Sequence, residues 1–271
     1  MLDAINSFQP RAKGRVVVSA KLRGASSVID DLYQSGCSRV LFPRGGPALQ
    51  AVLINTSGGV TGGDRIATSA KVGEGSVLSI TTQAAERIYR AQPHETGSIV
   101  TDITVAENAT LRWLPQELIL FEGSRLDRKL DVNLAPKAKA LIVEPIVFGR
   151  AAMGEILGDI HFSDRISVTR NGHPLYLDGV RLVGNFAAQL ARAAIGNGAC
   201  AMASVIYLAP DAAAHIPSVR NLLPDTGGAT LLANEMLVVR IVAPDSFVLR
   251  QSLIPILERL SNGPLPATWR L

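Results

Sequence analysis

The sequence predicts a mainly β fold. Three observations carry that expectation. Short β-prone runs recur from residue 15 to about 183, Gly, Pro, Asn and Asp punctuate them, and several runs alternate apolar with polar residues, as a strand with one buried face must. Many short strands at regular spacing fit a sandwich, a barrel or a stacked β-solenoid, and periodicity does not separate the three. No fixed-length repeat singles out the last.

RVVVSAKL at 15–22 opens the series, followed by LQAVLIN at 49–55, SVLSITT at 76–82, SIVTDITVA at 98–106, KLDVNLA at 129–135 and DRISVTR at 164–170. Pro115, just after Trp113 and Leu114, fixes a bend between two short strands, because the residue before a proline is pushed to extended backbone. Helical signals come late. DAAAHIPSVRNLL at 211–223 opens on a capping Asp, and Pro217 is expected to end or kink its first part. SFVLRQSLIPILERL at 246–260 spaces Val248, Leu249, Leu253, Ile256, Leu257 and Leu260 on one helical face, with Pro255 expected to break it. Between them, MLVVRIVA at 236–243 reads as a buried strand. No Ser-, Pro- or Gly-rich linker marks a boundary, so residues 1–271 are expected to form one domain.

The densest local signal is VLINTSGGVTGGDR at 52–65, an apolar run, two Gly pairs, then Asp64 and Arg65. Gly enters positive φ without steric cost, so this is a loop that turns sharply or approaches another segment closely. Gly58 and Gly63 match the spacing of a phosphate-binding loop, but Asp64 and Arg65 stand where Lys and Ser/Thr are required, and a carboxylate there repels phosphate. The loop reads as a scaffold turn that presents an acidic group.

Together with that loop, SITTQAAERIYRA at 79–91 and ATLRWLPQELILFEG at 109–123 resemble the UreD (UreH) family of urease accessory proteins. FGRAAMGE at 148–155 also resembles its pattern. The likeness is dense from about residue 40 to 185 and thin afterwards. One departure stands out: a His and a Pro pair that often precede the first Gly pair in the family are replaced here by Ile54, Asn55, Thr56 and Ser57, so a histidine metal role at that point is unsupported. The resemblance implies a β-helix-like superhelical body with a few C-terminal helices. It also implies a non-catalytic assembly factor for nickel insertion into urease. The implied partners are UreF, the GTPase UreG and the urease apoprotein, with UreE as nickel donor.

Composition sets outer bounds. At 271 residues the chain can bury about 70–75% of its unfolded surface and needs no disulfides for stability. Cys37 and Cys200 lack zinc or redox spacing and read as ordinary thiols in a reducing compartment. No apolar run reaches a membrane span, and MLDAINSFQPRAKGR lacks a signal peptide's apolar core, so a cytoplasmic location is expected. The 27 basic and 23 acidic residues form no long basic run, which argues against nucleic acid as partner. Charged residues make up 18% of the chain, below the usual ~25%, while 47% are hydrophobic, which fits either apolar surface that meets protein partners or a large core beneath a plain surface.

The usual catalytic devices are missing: no G-x-S-x-G, H-E-x-x-H, C-x-x-C or complete G-x-G-x-x-G. His94, His161, His173 and His215 share no local face. Trp113, Phe121 and Tyr89 read first as core anchors, with a partner interface as the second reading. The carboxylates are more informative. Asp64, Glu86, Glu117, Glu122, Glu144 and Glu155 all lie in or beside apolar stretches or turns, where an unpaired charge is expensive. One compensation is an ion pair with Arg65, Arg87, Arg90 or Arg150. The other is a wet interior passage for a divalent cation, with Asp64, Glu86 and Glu117 as its candidate ligands. Oxygen ligands hold Ni²⁺ weakly beside imidazole or thiolate, which suits transit rather than a fixed site, so no tightly bound cofactor is expected. Two rivals stay open: a small-molecule enzyme using Asp64 with Glu86 or Glu117 as acid and base, and a scaffold whose interior is filled by side chains.

Overall fold

The computed structural model describes residues 9–150 and 153–270. Residues 1–8 of the N-terminal segment, Ala151 and Ala152 of the FGRAAMGE block, and Leu271 lie outside them. The chain begins with β1 (Lys13–Arg23), β2 (Ser26–Gly36), β3 (Ser38–Leu41) and β4 (Leu49–Asn55). It then winds through β5 (Arg65–Val72), β6 (Val77–Thr82), β7 (Glu86–Ile88), β8 (Gly97–Val105), β9 (Thr110–Leu114), β10 (Leu118–Leu120), β11 (Arg125–Leu134), β12 (Lys139–Phe148) and β13 (Ile160–Arg170). The remainder comprises β14 (His173–Gly184), α1 (Phe186–Leu190), β15 (Ala201–Leu208), α2 (Ala212–Leu222), β16 (Gly227–Ala233), β17 (Met236–Ala243) and α3 (Ser246–Ser261).

These strands build two facing sheets and a short third face, a β-solenoid-like stack of coils. One sheet runs β14-β13-β11-β8-β5-β1-β2 and the other β16-β17-β15-β12-β9-β6-β4-β3, while β7 pairs β10 and β10 pairs β12. From β5 to β13 the chain alternates between the sheets, so neighbours within each sheet are parallel. Arg65 pairs Ser98, Ser98 pairs Asp127 and Asp127 pairs Ser163, which are coils of unequal length. That inequality is why no fixed repeat shows in the sequence. The Pro115 bend lies between β9 and β10, as its position implied.

Two apolar clusters fill the space between the sheets, one at each end of the strands. Val72, Val105, Leu134 and Val168 from one sheet meet Leu78, Leu111 and Ile142 from the other. Toward the opposite end, Val60, Ile88, Leu126, Ile146, Phe162 and Phe186 form a separate cluster. A third cluster covers the outer face of the larger sheet, where Leu249, Leu253, Ile256, Leu257 and Leu260 of α3 pack on Val143, Ala203, Val205 and Val239.

Both helices run past their prolines, contrary to the expected breaks at Pro217 and Pro255. Proline removes one backbone donor and crowds the preceding turn, a cost of about 3 kcal/mol in a helix interior. In α3 that cost is offset by the buried leucines and isoleucine on either side of Pro255, each worth roughly 1.5–3 kcal/mol when fully buried. Asp245 caps the same helix, accepting from the Val248 amide at 2.8 Å.

Candidate functional site: an interior cavity between the sheets

Between the two interior clusters lies a cavity of about 310 Å³. Its rim is exposed and comes from Arg39, Gly58, Gln83, Ala84 and Arg87. Its walls are Ile66, Thr68, Ile99 and Thr101 on one sheet and Trp113 on the other, with Gln116 at the β9–β10 corner. Arg128 and Glu144 also line it. Strand alternation explains why polar groups point inward here. On β11 the residues Leu126, Arg128, Leu130 and Val132 share a face, so Arg128 is carried into the interior with the leucines.

Glu86 lines the cavity near its rim, at the start of β7. It accepts a hydrogen bond from Asn55 Nδ2 at 3.1 Å, and no cation pairs with it among the described residues. Burial raises its pKa to about 7, opposed by the Asn55 hydrogen bond. Burial therefore favours its neutral form, against the pull of the nearby Arg87 charge.

Deeper in, Trp113 Nε1 donates to Glu144 Oε1 at 2.7 Å, and Arg128 Nη1 lies 2.6 Å from Glu144 Oε2. Arg128 also forks onto its cross-strand neighbour Asp164, through Nε to Oδ1 at 2.9 Å and Nη2 to Oδ2 at 2.6 Å. Glu144 and Asp164 are 4% and 6% exposed, so the three charges form a closed interior network. Burial works against the Arg128 charge, but Asp164 and Glu144 overcome it and hold the guanidinium protonated. Burial likewise pushes Glu144 up, with Arg128 pulling the other way.

The three carboxylates expected to line a passage are not brought together. Asp64 lies outside the cavity and fastens the glycine loop. Its Oδ1 accepts from the Ala12 amide at 2.7 Å and its Oδ2 from the Thr61 amide at 2.9 Å. Glu117 follows Gln116 at the cavity wall but turns outward to α3, where Arg250 Nε and Nη2 bond its two oxygens at 2.6 and 2.9 Å. Only Glu86 of the three faces the cavity. Among the other carboxylates, Glu122 lies 3.8 Å from Arg90 and Glu155 is held by Arg150 at 2.8 Å. Arginine pairing is thus common, but Arg128 and Arg250 were not among the arginines singled out from the sequence.

The double-glycine loop is a close-approach device. Val60 bridges to Ile88, Gly59 has φ +154°, and a Cβ on Gly59 would sit 2.3 Å from the Tyr89 ring. A Cβ on Gly62 would meet the Ala91 and Glu95 side chains at 2.8 and 2.7 Å. Tyr89 is 38% exposed and packs edge-on against buried Phe121, whereas Trp113 is buried as expected of a core anchor. Among the described residues no three His, Cys, Asp or Glu side chains converge into a metal cage, and no helix is long and apolar enough to cross a membrane.

Comparison with known proteins decides the relationship. The sequence pattern described as UreD urease accessory protein matches residues 12–270. The chain belongs to the UreD family. A protein from Ruegeria pomeroyi named urease accessory protein UreD is 53% identical over 255 residues, spanning 94% of this chain and 99% of its own length. Proteins of the same name from Roseobacter denitrificans and Sinorhizobium medicae are 46% and 42% identical, each over 96% or more of both chains. UreD membership therefore extends through the C-terminal third, where the family blocks noted in the sequence are thin.

Proposed function

We propose that this chain serves urease maturation as a non-catalytic assembly factor whose interior cavity passes Ni²⁺ toward the urease apoprotein. In this reading it works in a complex with UreF and UreG, UreG hydrolyses GTP, and UreE supplies the ion. The observation that carries the reading is the cavity itself, which joins an exposed rim to a buried polar interior and presents Glu86 without a cation. A single carboxylate with amide and hydroxyl neighbours binds a divalent ion weakly, and weak binding permits release. Phosphate chemistry finds no support in the glycine loop, because the Thr61 amide is already bonded to Asp64.

Family membership supports the urease role, and the geometry favours transit over the two rivals. Asp64 and Glu117 are satisfied by other groups and make no acid–base pair with Glu86. An interior filled by side chains would have left no cavity. The test is Glu86→Ala in the co-expressed accessory complex, reading complex recovery and urease nickel content separately. Reduced nickel with the complex intact supports transit through the cavity, and full nickel loading removes Glu86 from the path.

A further inference from the structure

The Glu144–Arg128–Asp164 network has a void on each side. Arg128 and Glu144 line the large cavity, and on the far side Glu144 and Asp164 line a second void of about 10 Å³ together with Asp178, Met202 and Ser204. Ser204 is the cross-strand neighbour of Glu144. Arg128 thus stands as a partition in the interior. Its fit is uneven: the fork onto Asp164 is bidentate, but Nη1 approaches Glu144 Oε2 off the line of an N–H bond, and this buried oxygen has no aligned donor. The guanidinium brings one positive charge to two carboxylates, whereas a divalent cation in its place would bring two.

We propose that Glu144 and Asp164 form an inner site for a divalent cation, and that Arg128 is a resident surrogate cation that closes this site until its guanidinium swings into the large cavity. The inference rests on the transit reading for its purpose but not for its test. Arg128 exchanges with the ion rather than sharing the site, because two carboxylates do not balance both charges in a dry interior. The cavity supplies room for the displaced guanidinium, so exchange needs no opening of the sheets. Such a plug keeps the passage shut to adventitious ions and lets one ion through per swing.

The experiment is thermal unfolding of the full-length Arg128→Ala chain, in chelator and with about 1 mM Ni²⁺ or Mn²⁺, beside the wild type and Arg128→Ala/Glu144→Gln/Asp164→Asn. The expected result is a saturable rise in Tm of about 5 °C for Arg128→Ala at an ion concentration about 100 times its Kd. The wild type and the triple variant should not respond. Arg128→Lys, which keeps the charge but loses the fork, should bind the ion more tightly than wild type and less tightly than Arg128→Ala. The proposal is overturned if Arg128→Ala shows no cation-dependent rise or if the triple variant responds equally. It is also overturned if Arg128→Ala stays insoluble whether or not the ion is supplied during expression and lysis, since a ligand for the folded state must improve its yield. No urease enters these measurements, so cation rescue alongside full nickel loading by a chain whose cavity is filled by Thr101→Phe would leave the inner site standing and sink the transit reading.

Discussion

Replacing Glu86 by Gln should stabilise the protein in a pH-dependent way. In the folded chain burial raises the Glu86 pKa from 4.5 to about 7, and the unfolded chain returns it to the ordinary value. Below pH ~4.5 both states are protonated and the residue contributes nothing. As pH rises toward 7 the unfolded state loses its proton first, so folding stability falls through this window and the full penalty is present above it. One pKa unit corresponds to about 1.4 kcal/mol, which puts the penalty at about 3 kcal/mol at pH 8, less whatever water in the cavity screens. Gln keeps an oxygen for the Asn55 donor and removes the charge. Urea unfolding of both chains at pH 5 and pH 8 reads the effect as a widening gap in midpoint at unchanged slope. A gap of the same size at both pH values would refute the assignment of Glu86 as a buried, uncompensated carboxylate.

Three further outcomes follow from the same geometry. Gly59→Ala should cost more than about 2 kcal/mol, because its Cβ would lie 2.7 Å from the Arg87 carbonyl, which cannot rotate away, and chemical denaturation measures the loss. Asp64→Ala should deplete the folded chain and therefore its complexes, since two amides lose their acceptor at about 1–3 kcal/mol each, whereas a transit residue would lower nickel and spare the complex. The isolated chain should self-associate in light scattering, because Leu41, Leu177 and Phe247 are 58–70% exposed, and a monodisperse monomer at high concentration would contradict this.

Much of the fold was legible because burial imposes a period on strands. LQAVLIN and MLVVRIVA coincide with β4 and β17, and the apolar positions chosen in 246–260 are those α3 buries, apart from the exposed Val248. β2 and β14 escaped notice because they are edge strands with mostly exposed or half-buried side chains, which leaves little apolar alternation to see. The solenoid arrangement came from family resemblance, since unequal coils erase any period. At the site, Glu86 was found as a carboxylate in an apolar context, and the same logic misassigned the surroundings of Asp64 and Glu117, whose partners arrive from Ala12 and Arg250. Distant pairing of that kind leaves no local trace. Arg128 and Asp164 were readable and missed: each falls on the inward phase of its strand, Arg128 between Leu126 and Leu130 and Asp164 between Phe162 and Ile166. A charge on the buried phase of a β-strand is the signal that finds such a network.

Blocking the interior cavity without touching a carboxylate tests most directly whether it is the route of the ion. Thr101 lies on β8, is 4% exposed and lines the cavity wall, so Thr101→Phe places a ring in the open space. The measurement is nickel per urease active site after co-expression, at equal recovery of the accessory complex and unchanged thermal stability of the chain. A marked fall in nickel with the complex intact is the expected result. Full nickel loading with the cavity filled would contradict it.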